Sequence, residues 1–238
     1  LFGTNDGVYG ININSMWAHI RDEIASIEVE QVVPKVGVWK FDFYQDELFI
    51  AANDALYRYD LYNGNHERVF GFSDALENMA GGEVSTLHID GKGNFWLGST
   101  TAGAFIWNPK SQLIQNFTYQ KNNKNSLTNS AVFAVSPDID DPNLLWVGTN
   151  NGLNLVNTKT KEIERFLVTN QEKTVFTSGN ILAIEQSKQY LWILSSIGVH
   201  VFDKKKKQPI EPFTDELSKW FVADTGVIHV EGERLWYG

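Results

Sequence analysis

Residues Asn143–Asn157, NLLWVGTNNGLNLVN, read as a short strand, a turn marked by Gly152 and a second strand. Nearly the same phrase stands at Asn94–Asn108, NFWLGSTTAGAFIWN. Working outward from these two copies, one element recurs: Gly or Ala, apolar, any residue, two apolar residues, then Asn or Asp. It occurs at Gly7–Asn12, Ala55–Asp60, Gly103–Asn108, Gly152–Asn157 and Gly198–Asp203, with starts 48, 48, 49 and 46 residues apart. Self-similarity at such a period decides the fold before any single segment does.

Three further strands share the period. An aromatic-led strand precedes each copy: Leu48–Ala52, Phe95–Ser99, Leu145–Thr149, Leu191–Ser195 and Leu235–Gly238, with Leu1–Thr4 as the remnant of the first. About 11 residues before each aromatic, a strand opens on a β-branched residue with an apolar one three later: Val38/Phe41, Val84/Leu87, Val132/Val135, Ile181/Ile184 and Val227/Val230. A fourth strand follows at Glu67–Phe70, Ile114–Phe117, Ile163–Phe166 and Ile210–Phe213, and the Met16–Ile20 region is expected to fill that role in the first copy. The intervening stretches (DGKGN, DDPN, NTKTKE, DKKKKQ) have turn chemistry. Each period of about 47 residues therefore predicts one four-stranded antiparallel sheet with hairpin connections.

Both faces of such a sheet are apolar, so it cannot stand alone. Radial stacking buries them, which predicts an all-β fold, a β-propeller of four-stranded blades. Phe49, Trp96, Trp146, Trp192 and Trp236 are expected to fill the wedge between blades. The chain, residues 1–238, reads as one propeller segment of five periods that opens and stops inside the second strand of a blade. A closed five-bladed ring and a segment of a larger ring, about seven-bladed, both accommodate that phase; the duplicated strand end favours the second.

Composition narrows the function. The formal charge is −9, which argues against duplex DNA or an anionic membrane as partner. The absence of cysteine excludes disulfides, zinc–thiolate sites and thiol catalysis. No apolar run reaches the roughly 18 residues of a membrane helix, so any targeting or anchoring segment is expected outside this sequence. There is no P-loop, no dinucleotide fingerprint, no G-x-S-x-G elbow and no metal-ligand spacing among the five His, so neither a cofactor nor a metal is expected.

Two copies carry a more specific pattern, V-x-x-L-x-x-D-x-x-G-x-x-W-x-G-T: Val84–Ser99 (VSTLHIDGKGNFWLGS) and Val132–Thr149 (VFAVSPDIDDPNLLWVGT). This resembles the two-component regulator propeller repeat, and Asn125–Val132 (NSLTNSAV) is similar to its lead-in to the innermost strand. Three copies depart from it, with Ala51-Ala52 in place of Gly-Thr and Leu194 in place of Gly. The resemblance implies a periplasmic, non-catalytic sensor region of a bacterial receptor, dimeric through its parent protein. It implies output through a histidine kinase or a diguanylate cyclase and a saccharide as ligand.

In a propeller the first strand of each blade lines the channel, so ligand residues are sought at its start. There the copies carry mostly small residues, with Lys40 and His229 as the exceptions and Trp39 and Phe133 at the intervening position; the candidate set is Trp39, Lys40, Glu83, Asn180 and His229. One reading is a mouth that binds a small ligand; the other is a water-filled channel lined by Lys40 and His229. The long inter-blade connections, such as Thr118–Ser130, are alternative recognition elements, as in a protein-interaction scaffold. A propeller lyase or hydrolase would need a base with an acidic partner, and only His229 with Glu231 comes close. Asp138–Asn143 (DIDDPN) lacks the Gly and distal Glu of a calcium loop and reads as an acidic turn. Lys204–Lys207 (KKKK) reads as a solvated hairpin turn.

Overall fold

The computed structural model describes residues 2–4, 6–11, 29–34, 37–45, 47–53, 55–60, 63–71, 83–111, 113–166, 180–210, 228–231 and 234–237. All regular structure among them is strand. The first sheet holds β1 (Phe2–Thr4), β2 (Gly7–Ile11) and β3 (Val29–Pro34). The second holds β4 (Val38–Tyr44), β5 (Glu47–Ala52), β6 (Ala55–Asp60) and β7 (His66–Gly71). The third holds β8 (Val84–Ile89), β9 (Phe95–Ser99), β10 (Gly103–Asn108) and β11 (Leu113–Phe117). The fourth holds β12 (Val132–Pro137), β13 (Leu144–Thr149), β14 (Gly152–Asn157) and β15 (Ile163–Phe166). The fifth holds β16 (Ile181–Gln186), β17 (Tyr190–Ser195), β18 (Gly198–Asp203) and β19 (Gln208–Ile210), and the sixth β20 (Ile228–Glu231) and β21 (Arg234–Tyr237). Strand order within each sheet follows the chain, and the observed pairings are antiparallel, as the repeat predicts. These sheets are propeller blades.

Two strands differ from expectation. The strand that pairs with β2 is Val29–Pro34, inside what reads in the sequence as a connection, because Val29, Val32 and Val33 supply the β-branched pattern. The Met16–Ile20 region lies outside the described residues. The last strand of the fifth sheet is Gln208–Ile210, two residues earlier than the expected start, pairing its Pro209 with Phe202.

The chain divides into two compact units, Leu1–Leu87 and His88–Gly238, with the boundary inside β8. In the first unit the core joins Val8 of the first sheet to Leu48 and Ile50 of the second. In the second unit three cores lie between consecutive sheets. Trp96 and Ala104 of the third sheet meet Val132, Leu145 and Val156 of the fourth. Trp146 and Leu155 of the fourth meet Ile181, Leu191 and Phe202 of the fifth. Leu194 and Val199 of the fifth meet Ile228 of the sixth. Within each unit a sheet is thus buried by the next, which is the reason a single period cannot fold by itself. Trp96 and Trp146 are 3% and 2% exposed, as wedge fillers must be, whereas Trp236 is 53% exposed on the outer strand of the two-stranded sixth sheet.

The repeated Gly has a backbone cause. Gly103, Gly152 and Gly198 open the third strand of their sheets at φ of 94°, 114° and 129°, in the region that L side chains avoid. A Cβ on Gly103 would also lie 2.0 Å from the Phe117 carbonyl oxygen. The hydroxyl that ends the preceding strand belongs to the same turn. Ser99, Thr149 and Ser195 accept the amides of Thr101, Asn151 and Ile197, and the last two hydroxyls donate to the carbonyls of Gly152 and Gly198.

Candidate functional site

The first strand of three sheets carries a bulge one residue after its start. Pairing slips between Val38 and Lys40, between Val132 and Ala134 and between Ile181 and Ala183. Trp39, Phe133 and Leu182 are the extra residues, and a bulge re-aims its side chain. The turn after the second strand locks the strand start: the amides of Asn53, Asn150 and Ser196 donate to the carbonyls of Gly37, Ala131 and Asn180, at 3.2, 3.0 and 3.0 Å.

The sequence candidates fall on this frame as follows. Trp39 is 46% exposed and donates its indole N–H to Asn53 Oδ1 at 2.8 Å. Together with Lys40 it borders a hollow of about 240 Å3 that also touches Val38 and Phe41. Glu83 immediately precedes β8 and, like Trp39 and Lys40, belongs to the first unit. Asn180 and His229 belong to the second, where Asn180 is held by its backbone to Ser196. His229 is exposed, and its Nδ1 lies 3.8 Å from Glu185 Oε2 of the preceding sheet, beyond hydrogen-bond length. The acid that the structure brings to His229 is therefore Glu185 on β16.

Connection Thr118–Ser130 is a packed element. Arg165 donates to the carbonyls of Asn123, Ser126 and Leu127 and to Ser126 Oγ. Asn154 accepts the Thr128 amide and donates to Thr128 Oγ1, which is 2.7 Å from Thr149 Oγ1. Ser126, Leu127 and Thr128 are buried. The NSLT part of the lead-in therefore seals the third sheet against the fourth and offers little for recognition.

A cleft of about 810 Å3 lies at the other end of the strands, between the fourth and fifth sheets. Sequence reasoning missed it, because its charged parts come from two turns read separately, one as an acidic turn and one as a solvated hairpin turn. Leu144, Trp146 and Leu155 form an apolar floor, and Trp146 is wedged edge-on against Phe202 at 5.8 Å between ring centroids. Asp138 stands in the turn after β12. Burial pushes its carboxyl up, but the Trp146 indole at 2.8 Å, the amides of Asp140 and Asp141 and the Lys204 ammonium outweigh that and hold it below the ordinary aspartate value. Lys204 reaches across from the fifth sheet, 3.3 Å from Asp138 Oδ2 and 3.2 Å from Asp140 Oδ2, with its side chain 9% exposed. Among the described residues no cluster of His, Cys, Asp and Glu could hold a metal ion.

The Asp–Trp clasp is a repeated part. In the third sheet Asp90 accepts the Trp96 indole at 3.2 Å together with the amides of Lys92 and Asn94. A first strand, an Asx-stabilised turn and a capped Trp, repeated in stacked sheets, make a propeller blade recognisable beyond its topology. The comparisons agree. The chain has the fold of known propellers. It is similar to the extracellular domain of BT3049, a provisionally assigned hybrid two-component system from B. thetaiotaomicron, with a TM-score of 0.61 and 17% identity over 75% of this chain and 24% of that one. It is also similar to the WD40 repeats of RRP9, with a TM-score of 0.56 and 14% identity over 74% of this chain and 50% of that one. The chain thus spans about a quarter and a half, respectively, of those proteins' lengths. No family model and no curated protein matches the sequence.

Proposed function

We propose that this chain is a propeller segment of the two-component regulator type, serving as a non-catalytic sensor module on the extracytoplasmic side of a bacterial signalling receptor. The observation that carries the reading is the clasp of Asp90 and Asp138 on Trp96 and Trp146, at the positions where the family motif has its Asp and Trp, in a fold similar to a receptor's extracellular domain. The output kinase or cyclase lies elsewhere in the parent protein, and the receptor works as a dimer. A ligand that binds one arrangement of the receptor better than another shifts the population between them.

The proposed reading positions are the starts of the first strands, Trp39, Lys40 and Glu83 in the first unit and Asn180 and His229 in the second, with a small polar molecule, a saccharide by the resemblance, as the ligand. Trp39 supports this most directly: it is exposed, re-aimed by a bulge and fixed by Asn53. Two experiments test the proposal. The complete gene is expected to encode a membrane-spanning helix and a signalling output domain, and a gene with neither overturns it. A thermal-shift screen of the complete extracytoplasmic region with oligosaccharides is expected to yield a midpoint that rises with ligand concentration and is lost in Trp39→Ala. A shift unchanged by that substitution and by His229→Ala removes the strand starts as the site.

A further inference from the structure

The cleft between the fourth and fifth sheets has an unusual distribution of charge. Every charged residue on the fourth-sheet wall is an acid: Asp138, Asp140, Glu162 and Glu164. Every charged residue on the fifth-sheet wall is a lysine: Lys188, Lys204, Lys205 and Lys207. The DIDDPN and KKKK turns, more than 60 residues apart in sequence, are the cores of these two walls. Three ion pairs already cross the gap, Lys204 to Asp138 and to Asp140, and Lys207 to Glu164. They fix the spacing of the walls. Lys188 and Lys205 on one side and Glu162 on the other are exposed and have no ion pair among the described residues.

We propose that this cleft binds a short zwitterionic peptide with apolar side chains. Three features argue for that class. Opposed fields favour a ligand carrying both charges, and disfavour either ion alone, because each wall repels what the other attracts. The unpaired Lys188 and Lys205 offer donors to a carboxylate, while Glu162 and the exposed Asp140 offer acceptors to an ammonium. Between them the floor of Leu144 and Leu155 is apolar and takes the ligand's side chains. The volume of about 810 Å3 falls within the range of small-molecule sites, roughly 300–1,000 Å3. This site is independent of the strand starts, since it lies where the first strands end.

The test is titration calorimetry of the full chain with L-leucyl-L-leucine, its N-acetyl derivative and its C-terminal amide. Binding of the free dipeptide is expected, weakened about tenfold by blocking either end. Lys205→Glu and Glu162→Lys, both exposed positions, are each expected to weaken it by a similar factor, while Lys110→Glu, the same charge change in a turn of the third sheet, leaves it unchanged. Absence of binding at about 10 mM dipeptide, equal binding of the blocked forms, or equal weakening by Lys110→Glu overturns the proposal. Because the strand-start site is read with oligosaccharides, its failure and this one are separately visible.

Discussion

Trp192 shows what one side chain contributes to the clasp. Its counterparts Trp96 and Trp146 donate to Asp90 and Asp138, but Ser187 stands where the fifth sheet should have its Asp. The Trp192 indole nitrogen is buried and has no hydrogen-bond partner among the described residues. An unmade bond of this kind costs on the order of 1 kcal/mol. Ser187→Asp is therefore expected to raise stability by about that amount, read from the denaturant midpoint at unchanged slope. His200 is a second test. It occupies the place of Asn154, lies 2.8 Å from Ser195 Oγ, and burial lowers its pKa from the ordinary 6.5. The unfolded chain then takes up the proton first, so the stability held by neutral His200 is full above pH 6.5 and declines as pH falls toward the folded value. His200→Asn is expected to flatten this decline, measured as the thermal midpoint between about pH 7 and 5.

The blade edges rest on pairings between elements of different sheets. Gln186 on β16 donates to Ser136 Oγ and to the Pro137 carbonyl of β12, both at 2.6 Å. Arg165 on β15 does the same for the connection ahead of β12. Arg165→Met keeps much of the side chain's bulk and removes three carbonyl partners, so amides in 119–131 are expected to exchange with solvent at least tenfold faster while β13 and β14 stay protected. Unchanged exchange would mean that the bonds of Asn154 and Asn125 suffice to hold the connection. This level also shows where sequence reading stops. The hairpins and the Gly turns were legible because a two-residue alternation and a positive φ each leave a mark on nearby residues. The bulges at Trp39, Phe133 and Leu182 left none, since an extra residue in a strand changes pairing and not composition. β3 was missed because its pattern lies beyond a long segment without the period's turn signals.

For the chain as a whole, the period of about 47 residues made the blade architecture readable from end to end, because stacking makes the same demand of every copy. The candidate site was less legible. Its two charged turns are neighbours only through the stacking of one sheet on the next, and each is ordinary in isolation. The second unit carries three inter-sheet cores of its own. A fragment of residues 83–238, which keeps β8 intact, is expected to unfold cooperatively with Trp146 protected from quenchers; a non-cooperative transition would show that those cores do not suffice. Trp146→Ala in the full chain is expected to cost about 3–5 kcal/mol, since it faces two sheets at once.

Gly148 has a consequence for how such a chain can change over evolutionary time. A Cβ there would lie 2.4 Å from Ile181 Cγ2 in the following sheet, so the fourth period tolerates only a neighbour whose first strand needs that gap. The next period has Leu194 at the same position and meets Ile228 instead. The unit that can be duplicated or exchanged without repair is therefore the seam between two periods, not the period as the sequence delimits it. Recombination breakpoints that survive should fall in the middle of blades, leaving each Gly or Leu joined to the strand that it grew up with.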